Sequence, residues 1–271
     1  MSDEPANFNG LRVAAFESRR AEETLRMLER LGATAFVSPS MREVPLEENQ
    51  EAVDFAQRLI QGEFDLVVFL TGVGIRHLVA AVEGQVDRQA FLDALSSATT
   101  VVRGPKPAGA LRELGITPTH LVAEPNTWRE TLSLLDAKLP VANRNAAVQE
   151  YGLPNPHLIA GLEARGAKVT RVRVYQWELP EDLAPLEANV RRIVAGEVDL
   201  MLFTSSPQVI HLLQVAQRMN LEPALRQAIR KTVVASVGPS TSETLREQGL
   251  AVDLEPKRPK LAPLINLAAE R

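Results

Sequence analysis

The chain has 271 residues, 45% hydrophobic and 24% charged, a length suited to two globular domains that each bury their own core. A net charge of −4 gives no basic footprint for nucleic acid, and no run of about 18 apolar residues offers a membrane span. Zero cysteines exclude disulfides and thiolate chemistry, and the four histidines (His77, His120, His157, His211) are too scattered for a zinc site.

The opening "MSDEPANFNG" lacks a basic segment followed by an apolar one, so it is expected to be a disordered lead-in and not a signal peptide. Then "LRVAAF" (Leu11–Phe16) and "ATAFVS" (Ala33–Ser38) read as strands. Between them "RRAEETLRMLERLG" has the three-to-four apolar spacing and closing Gly of a helix. The polar, Pro-containing "PSMREVPLEEN" (Pro39–Asn49) reads as an extended connector. Strands follow at "FDLVVFL", "TTVVRG" and "THLVAE", then at "LPVANR" (Leu139–Arg144) and "AKVTRVRVYQ" (Ala167–Gln176). A second connector, "VYQWELPED" (Val174–Asp182), precedes strands at "VDLMLFT", "KTVVASV" and "LAVDLE" (Leu250–Glu255).

The order of these elements repeats. Shifted by 134 residues, "RGPKPAGALRELGI" (Arg103–Ile116) lies on "VGPSTSETLREQGL" (Val237–Leu250). "GEFDLVVFLTGVGIRHL" (Gly62–Leu78) likewise lies on "GEVDLMLFTSSPQVIHL" (Gly196–Leu212), and "LERLGATAFV" on "LEARGAKVTR". The chain is an internal duplication. Continuous Val, Ile and Leu runs belong to strands buried on both faces, so two doubly wound α/β domains with parallel sheets are expected. Periodicity does not tell whether the strand before each connector stays in its own half.

In such sheets ligands bind beyond the carboxyl ends of strands, where helices begin. Helix N-termini there offer amides and partial positive charge to anions. Ser240 to Glu243 has the spacing of a capping box, which makes Ser240 the expected cap, and Thr127 to Glu130 repeats it. Ser205 and Ser206 before Pro207 read as a cap with Pro in the first turn, and Thr71 with Gly72 holds the same place in the first copy. Lys106 stands in the "GPKP" turn where the second copy has a small hydroxyl, and either charges an anion site or is an ordinary solvated lysine. The Arg19–Arg20 pair, after Ser18, opens the first helix, where a cation opposes the helix dipole unless an anion is nearby, and Arg144 is assigned to the corresponding turn of copy two. His77 and His211 occupy matched helical positions and read as structural. Trp128 and Trp177 fit either packing or stacking on a ligand. No Walker loop, G-x-G-x-x-G or G-x-S-x-G occurs.

The phrases "LFTSSPQVIHLL", "VASVGPSTSETLREQGL" and "VYQWELP" resemble the uroporphyrinogen-III synthase family, in that family's order, over about residues 11 to 268. The resemblance implies two flavodoxin-like domains joined by a two-stranded antiparallel linker. One would hold residues 1–41 with 178–271, the other 48–172, with connectors at 42–47 and 173–177. It implies the closure of a linear tetrapyrrole, hydroxymethylbilane, to uroporphyrinogen III with loss of water and inversion of the last ring. It implies no cofactor, and a cytoplasmic monomer whose only partner is that small molecule. Carried over by position, Tyr175 matches the family's tyrosine at the interdomain cleft, and Thr241 a hydroxyl of the Gly-Pro-Ser/Thr-Thr turn. These two are the catalytic candidates. Ser205 and Ser206 match the Ser-rich turn, and Gly238 and Ser240 complete the binding set with Ser18, Arg19, Thr71, Gly72, Lys106 and Arg144. Pro107 departs from the pattern, since some members have a threonine in that turn. The implied substrate carries eight carboxylates, which helix N-termini can bind without many lysines. The alternative is a non-catalytic two-lobed binding protein for a small anion.

Overall fold

In the computed structural model, which describes residues 6–46 and 49–271, the most continuous apolar runs, Leu66–Phe69 and Leu200–Phe203, are buried at every position. Residues 1–5 of the expected lead-in, and residues 47 and 48 at the expected connector and domain boundary, lie outside the described residues. Along the chain run β1 (Arg12–Ala15), α1 (Ala21–Arg30), β2 (Thr34–Val37), β3 (Arg42–Pro45), α2 (Gln50–Ile60), β4 (Leu66–Phe69), α3 (Gly72–Val82) and α4 (Arg88–Ser97). Then come β5 (Thr99–Val102), α5 (Pro105–Glu113), β6 (His120–Leu121), α6 (Trp128–Lys138), β7 (Asn145–Gln149), α7 (Pro156–Glu163), β8 (Lys168–Val172) and β9 (Tyr175–Glu178). The last third holds α8 (Ala184–Val194), β10 (Leu200–Phe203), α9 (Ser206–Arg218), α10 (Glu222–Ile229), β11 (Val233–Ser236), α11 (Pro239–Glu247) and α12 (Leu261–Ala269).

The chain divides into two compact units: Met1–Arg42, for its described residues, with Glu178–Arg271, and Glu43–Trp177. The first has a parallel sheet in the order β11-β10-β1-β2. One face is covered by α1 and α12 through Leu28, Leu264, Ile265 and Ala268. On the other, Leu186, Val190, Leu212, Leu225 and Leu245 of α8 to α11 pack with Phe16 and Phe203, whose rings stack at 4.8 Å. The second unit has a parallel sheet in the order β6-β5-β4-β7-β8. Leu132, Leu135, Leu158 and Leu162 of α6 and α7 cover one face, and Phe55, Ile75, Leu78, Phe91 and Leu111 of α2 to α5 the other. Both are three-layer α/β arrangements.

The pairing shows how the repeat is distributed. β1 and β2, from the first copy, pair with β10 and β11 of the second; β7 and β8, from the second, pair with β4 and β5 of the first. The four-stranded sheet thus takes two strands from each copy, and the five-stranded sheet three from the first and two from the second. The chain passes between the units along β3 and β9, which form a two-stranded sheet. Arg42 pairs with Glu178 at one end, and the Leu46 amide donates to the Val174 carbonyl at the other, so these strands run in opposite directions.

Two strand expectations need correction. "LPVANR" is not a strand: Asn143 adopts φ +62°, the Arg144 amide donates back to Val141, and pairing begins at Asn145. "LAVDLE" contributes only a single bridge, Ala235 to Leu254, because the Asp253 carboxylate takes the Val234 amide at 2.8 Å.

Candidate functional site

Five strand ends of the second unit carry the turns of interest. β4 runs into Thr71, whose side chain caps α3 by accepting the Gly74 amide at 3.0 Å. The Thr71 hydroxyl also lies 3.3 Å from the Tyr175 hydroxyl. Gly72 begins α3 where a Cβ would stand 2.6 Å from the Lys106 carbonyl oxygen, so the first turns of α3 and α5 touch only because this residue has no side chain. Lys106 is exposed, and Gly104, not a hydroxyl residue, caps α5. Thr127 and Glu130 form the expected capping box at α6. Asn155 caps α7, and Glu150, buried beneath it, accepts both arms of the Arg171 fork at 3.0 and 3.1 Å.

Tyr175, the first residue of β9, is only 3% exposed. Its ring meets Trp177 edge-on at 5.6 Å and lies 5.5 Å from the His77 ring, whose Nε2 is 2.6 Å from Glu43. Gly152, at φ +80°, allows the approach: a Cβ there would be 2.8 Å from the Tyr175 ring and 2.7 Å from Trp177.

In the first unit the Ser18 hydroxyl oxygen accepts the amides of Ser40 and Met41, each at 3.1 Å, and so fixes the chain as it enters β3. Ser40 donates to the Phe16 carbonyl, and the buried His211 donates from Nδ1 to the Ser40 carbonyl at 2.7 Å. Burial lowers the His211 pKa from its ordinary value, with the Ser40 carbonyl opposing, so the neutral ring is favoured. Ser206 donates to the Ser240 carbonyl and receives the Thr244 hydroxyl at 2.8 Å, tying α9 to α11. Thr241, in the first turn of α11, is buried.

Three expected roles change. Ser240 is not a cap: α11 starts at Pro239, the extended Gly238 takes the N-cap position, and Ser240 is an exposed residue of the first turn. A Cβ on Gly238 would lie 2.7 Å from Pro259, so this glycine also keeps the closing segment in place. Ser205 is the N-cap of α9 but makes no side-chain cap; its hydroxyl faces the Met41 sulfur at 3.7 Å. Arg144 lies before β7, at the opposite end of the sheet from the turns, because the residue that matches Ser18 at the 134-residue shift is Gly152. Arg19 is exposed, as is Arg20, which pairs with Glu23. Sequence reasoning missed the Glu43 partner of His77, the close approach of Gly152, and Arg103, which follows β5 and stacks on Tyr151.

Fold and turns together define a duplicated, strand-exchanged α/β protein whose loops present amides and hydroxyls at the carboxyl ends of its strands. A family model described as uroporphyrinogen-III synthase HemD matches residues 22–266. The chain is 30% identical to the uroporphyrinogen III synthase of Thermus thermophilus, with a TM-score of 0.73 to a mutant of it, covering 94% of this chain and 96% of that one. A putative uroporphyrinogen-III synthase of Methanothermobacter thermautotrophicus is 28% identical over 85% of this chain and 87% of its own length. An uncharacterized protein of Bacillus subtilis, YjjA, is 31% identical over 94% of both. The chain belongs to the uroporphyrinogen-III synthase family.

Proposed function

We propose that this protein closes hydroxymethylbilane to uroporphyrinogen III with inversion of the last ring, and that Tyr175 supplies the proton to the departing hydroxyl. The observation that carries the role of Tyr175 is its hydroxyl, 3.3 Å from Thr71 at the carboxyl end of β4. Thr71 Oγ1 is itself held by the Gly74 amide at 3.0 Å, which fixes its hydroxyl beside the phenol. A Thr71 hydroxyl beside the phenol stabilises the phenolate formed when Tyr175 gives up its proton. The C–O bond of the hydroxymethyl group breaks and its oxygen departs as water. A carbon–carbon bond then forms at the substituted carbon of the last ring, and the bond from that carbon to its bridging methylene breaks. The methylene re-bonds to the free α carbon of the same ring, whose proton is released as the pyrrole regains aromaticity and returns to Tyr175. Net loss is one water. The remaining task is positioning, since free bilane closes to the uninverted isomer.

The test is Tyr175→Phe, assayed with hydroxymethylbilane for rate and for both product isomers. The expected outcome is a rate about 100-fold lower, at the low end for a general acid, with the residual product shifted toward uroporphyrinogen I. An unchanged rate with pure type III product would leave positioning as the mechanism and remove Tyr175 from the chemistry.

A further inference from the structure

Arg103 differs from most half-buried arginines among the described residues in what it faces. Arg12, Arg58, Arg165 and Arg226 each meet a carboxylate, Arg192 donates to the Asn189 side-chain oxygen, and Arg144 lies before β7, at the other end of its sheet. Among the described residues the half-buried Arg103 guanidinium has neither an ion pair nor a hydrogen bond, and rests over the Tyr151 ring at 5.1 Å. Its backbone is clamped. The Arg103 amide donates to the Phe69 carbonyl at 3.0 Å, and the Asn126 side-chain nitrogen, oriented toward the carbonyls of Arg103 and Val122, donates to them at 2.8 and 3.0 Å.

The sheet order β5-β4-β7 gives this contact its meaning. Arg103 follows β5 and Tyr151 follows β7, so the side chain reaches across the carboxyl end of β4. β4 lies where the strand order reverses, because the chain goes from β4 to β5 on one side and places β7 on the other. Such a point is where open α/β sheets bind ligands. Thr71 and the Tyr175 hydroxyl belong to the same strand end.

The duplication shows that the fold does not require a cation here. Shifted by 134 residues, Arg103 falls on Val237, which packs against the apolar core of the other unit. A guanidinium with part of its hydration removed and no anion to replace it is unfavourable unless an anion arrives. Burial also lowers the Arg103 pKa from its ordinary value, offset in part by Tyr151 and Tyr175, a direction that fits a desolvated cation. Its planar fork suits a carboxylate held by two parallel bonds, and stacking on Tyr151 holds that plane still.

We propose that Arg103 is an anchor for one carboxylate of the substrate, placing the tetrapyrrole beside Tyr175 and Thr71. This rests on the reading of the protein as acting on hydroxymethylbilane, whose ring substituents end in carboxylates. The anchor acts on binding and register, not on proton transfer.

The experiment compares wild-type protein, Arg103→Met and Arg103→Lys in steady-state turnover of hydroxymethylbilane, with product isomers and melting temperature measured on the same samples. Arg103→Met should raise KM about 10- to 100-fold, the loss expected for charge-assisted hydrogen bonds, with a smaller change in kcat. Its melting temperature should be unchanged or higher, because a desolvated cation is removed. Arg103→Lys should recover part of the affinity, as a point charge without the fork. Wild-type activity with unchanged KM in Arg103→Met would overturn the anchor and leave the proposed function standing. A lower melting temperature in Arg103→Met, with wild-type KM in Arg103→Lys, would make Arg103 structural and also overturn it. Wild-type protein that forms no type III product would overturn the functional reading itself.

Discussion

Thr71 serves two groups at once, the Gly74 amide and the Tyr175 hydroxyl, and the two roles separate by substitution. Thr71→Val should lower stability by about 1 kcal/mol through the lost cap and also slow turnover, whereas Thr71→Ser should keep both. Thermal melts and rates on the same samples check this; Thr71→Val with full activity would detach Thr71 from the proton path. His211 carries a separate expectation. Its folded-state pKa lies below that of the unfolded chain, about 6.5, so as pH falls through that value the unfolded chain binds the proton first. The stability that His211 contributes is therefore present above about pH 6.5 and is lost below it. Melting temperatures measured from mildly alkaline to mildly acidic pH should fall less steeply in His211→Gln than in the wild-type protein; parallel curves would refute this role.

Among the elements, α3 and α5 depend on Gly72, where a methyl group would press on the Lys106 carbonyl. Gly72→Ala should cost about 1 to 3 kcal/mol by overpacking, read as a lower melting temperature, although α3 itself would gain from the better helix former. Net stabilisation would show that the two turns separate freely. Such close approaches are invisible in a sequence, where Gly72 enters the binding set for its position alone. The caps at Thr71 and Thr127 are legible because they involve only residues three apart. Ser240 has the same local pattern yet is no cap, since Pro239 starts the helix one residue earlier and the extended Gly238 takes the cap position. Arg103 does not stand out in the sequence because its partner Tyr151 comes from the end of β7, two strands away, though the contrast with Val237 is there to be read.

Across the whole molecule, the parallel sheets follow from the continuous apolar runs, and the duplication from the 134-residue shift. Which copy's strands pair with which does not follow from periodicity, because apolar strands of either copy fit either sheet. The exchange has a consequence for folding. Glu43–Trp177 is one continuous segment with helices on both faces of its sheet, while the other unit is assembled from both ends of the chain. A fragment of residues 43–177 should therefore unfold cooperatively by itself, whereas 178–271 alone, lacking β1 and β2, should not; an unfolded 43–177 fragment would contradict this. The central claim is catalytic, and the isomer ratio formed from hydroxymethylbilane tests it most directly. Catalytic amounts of the protein should yield predominantly uroporphyrinogen III, faster than spontaneous closure. Uroporphyrinogen I alone, at the rate seen without protein, would contradict the account.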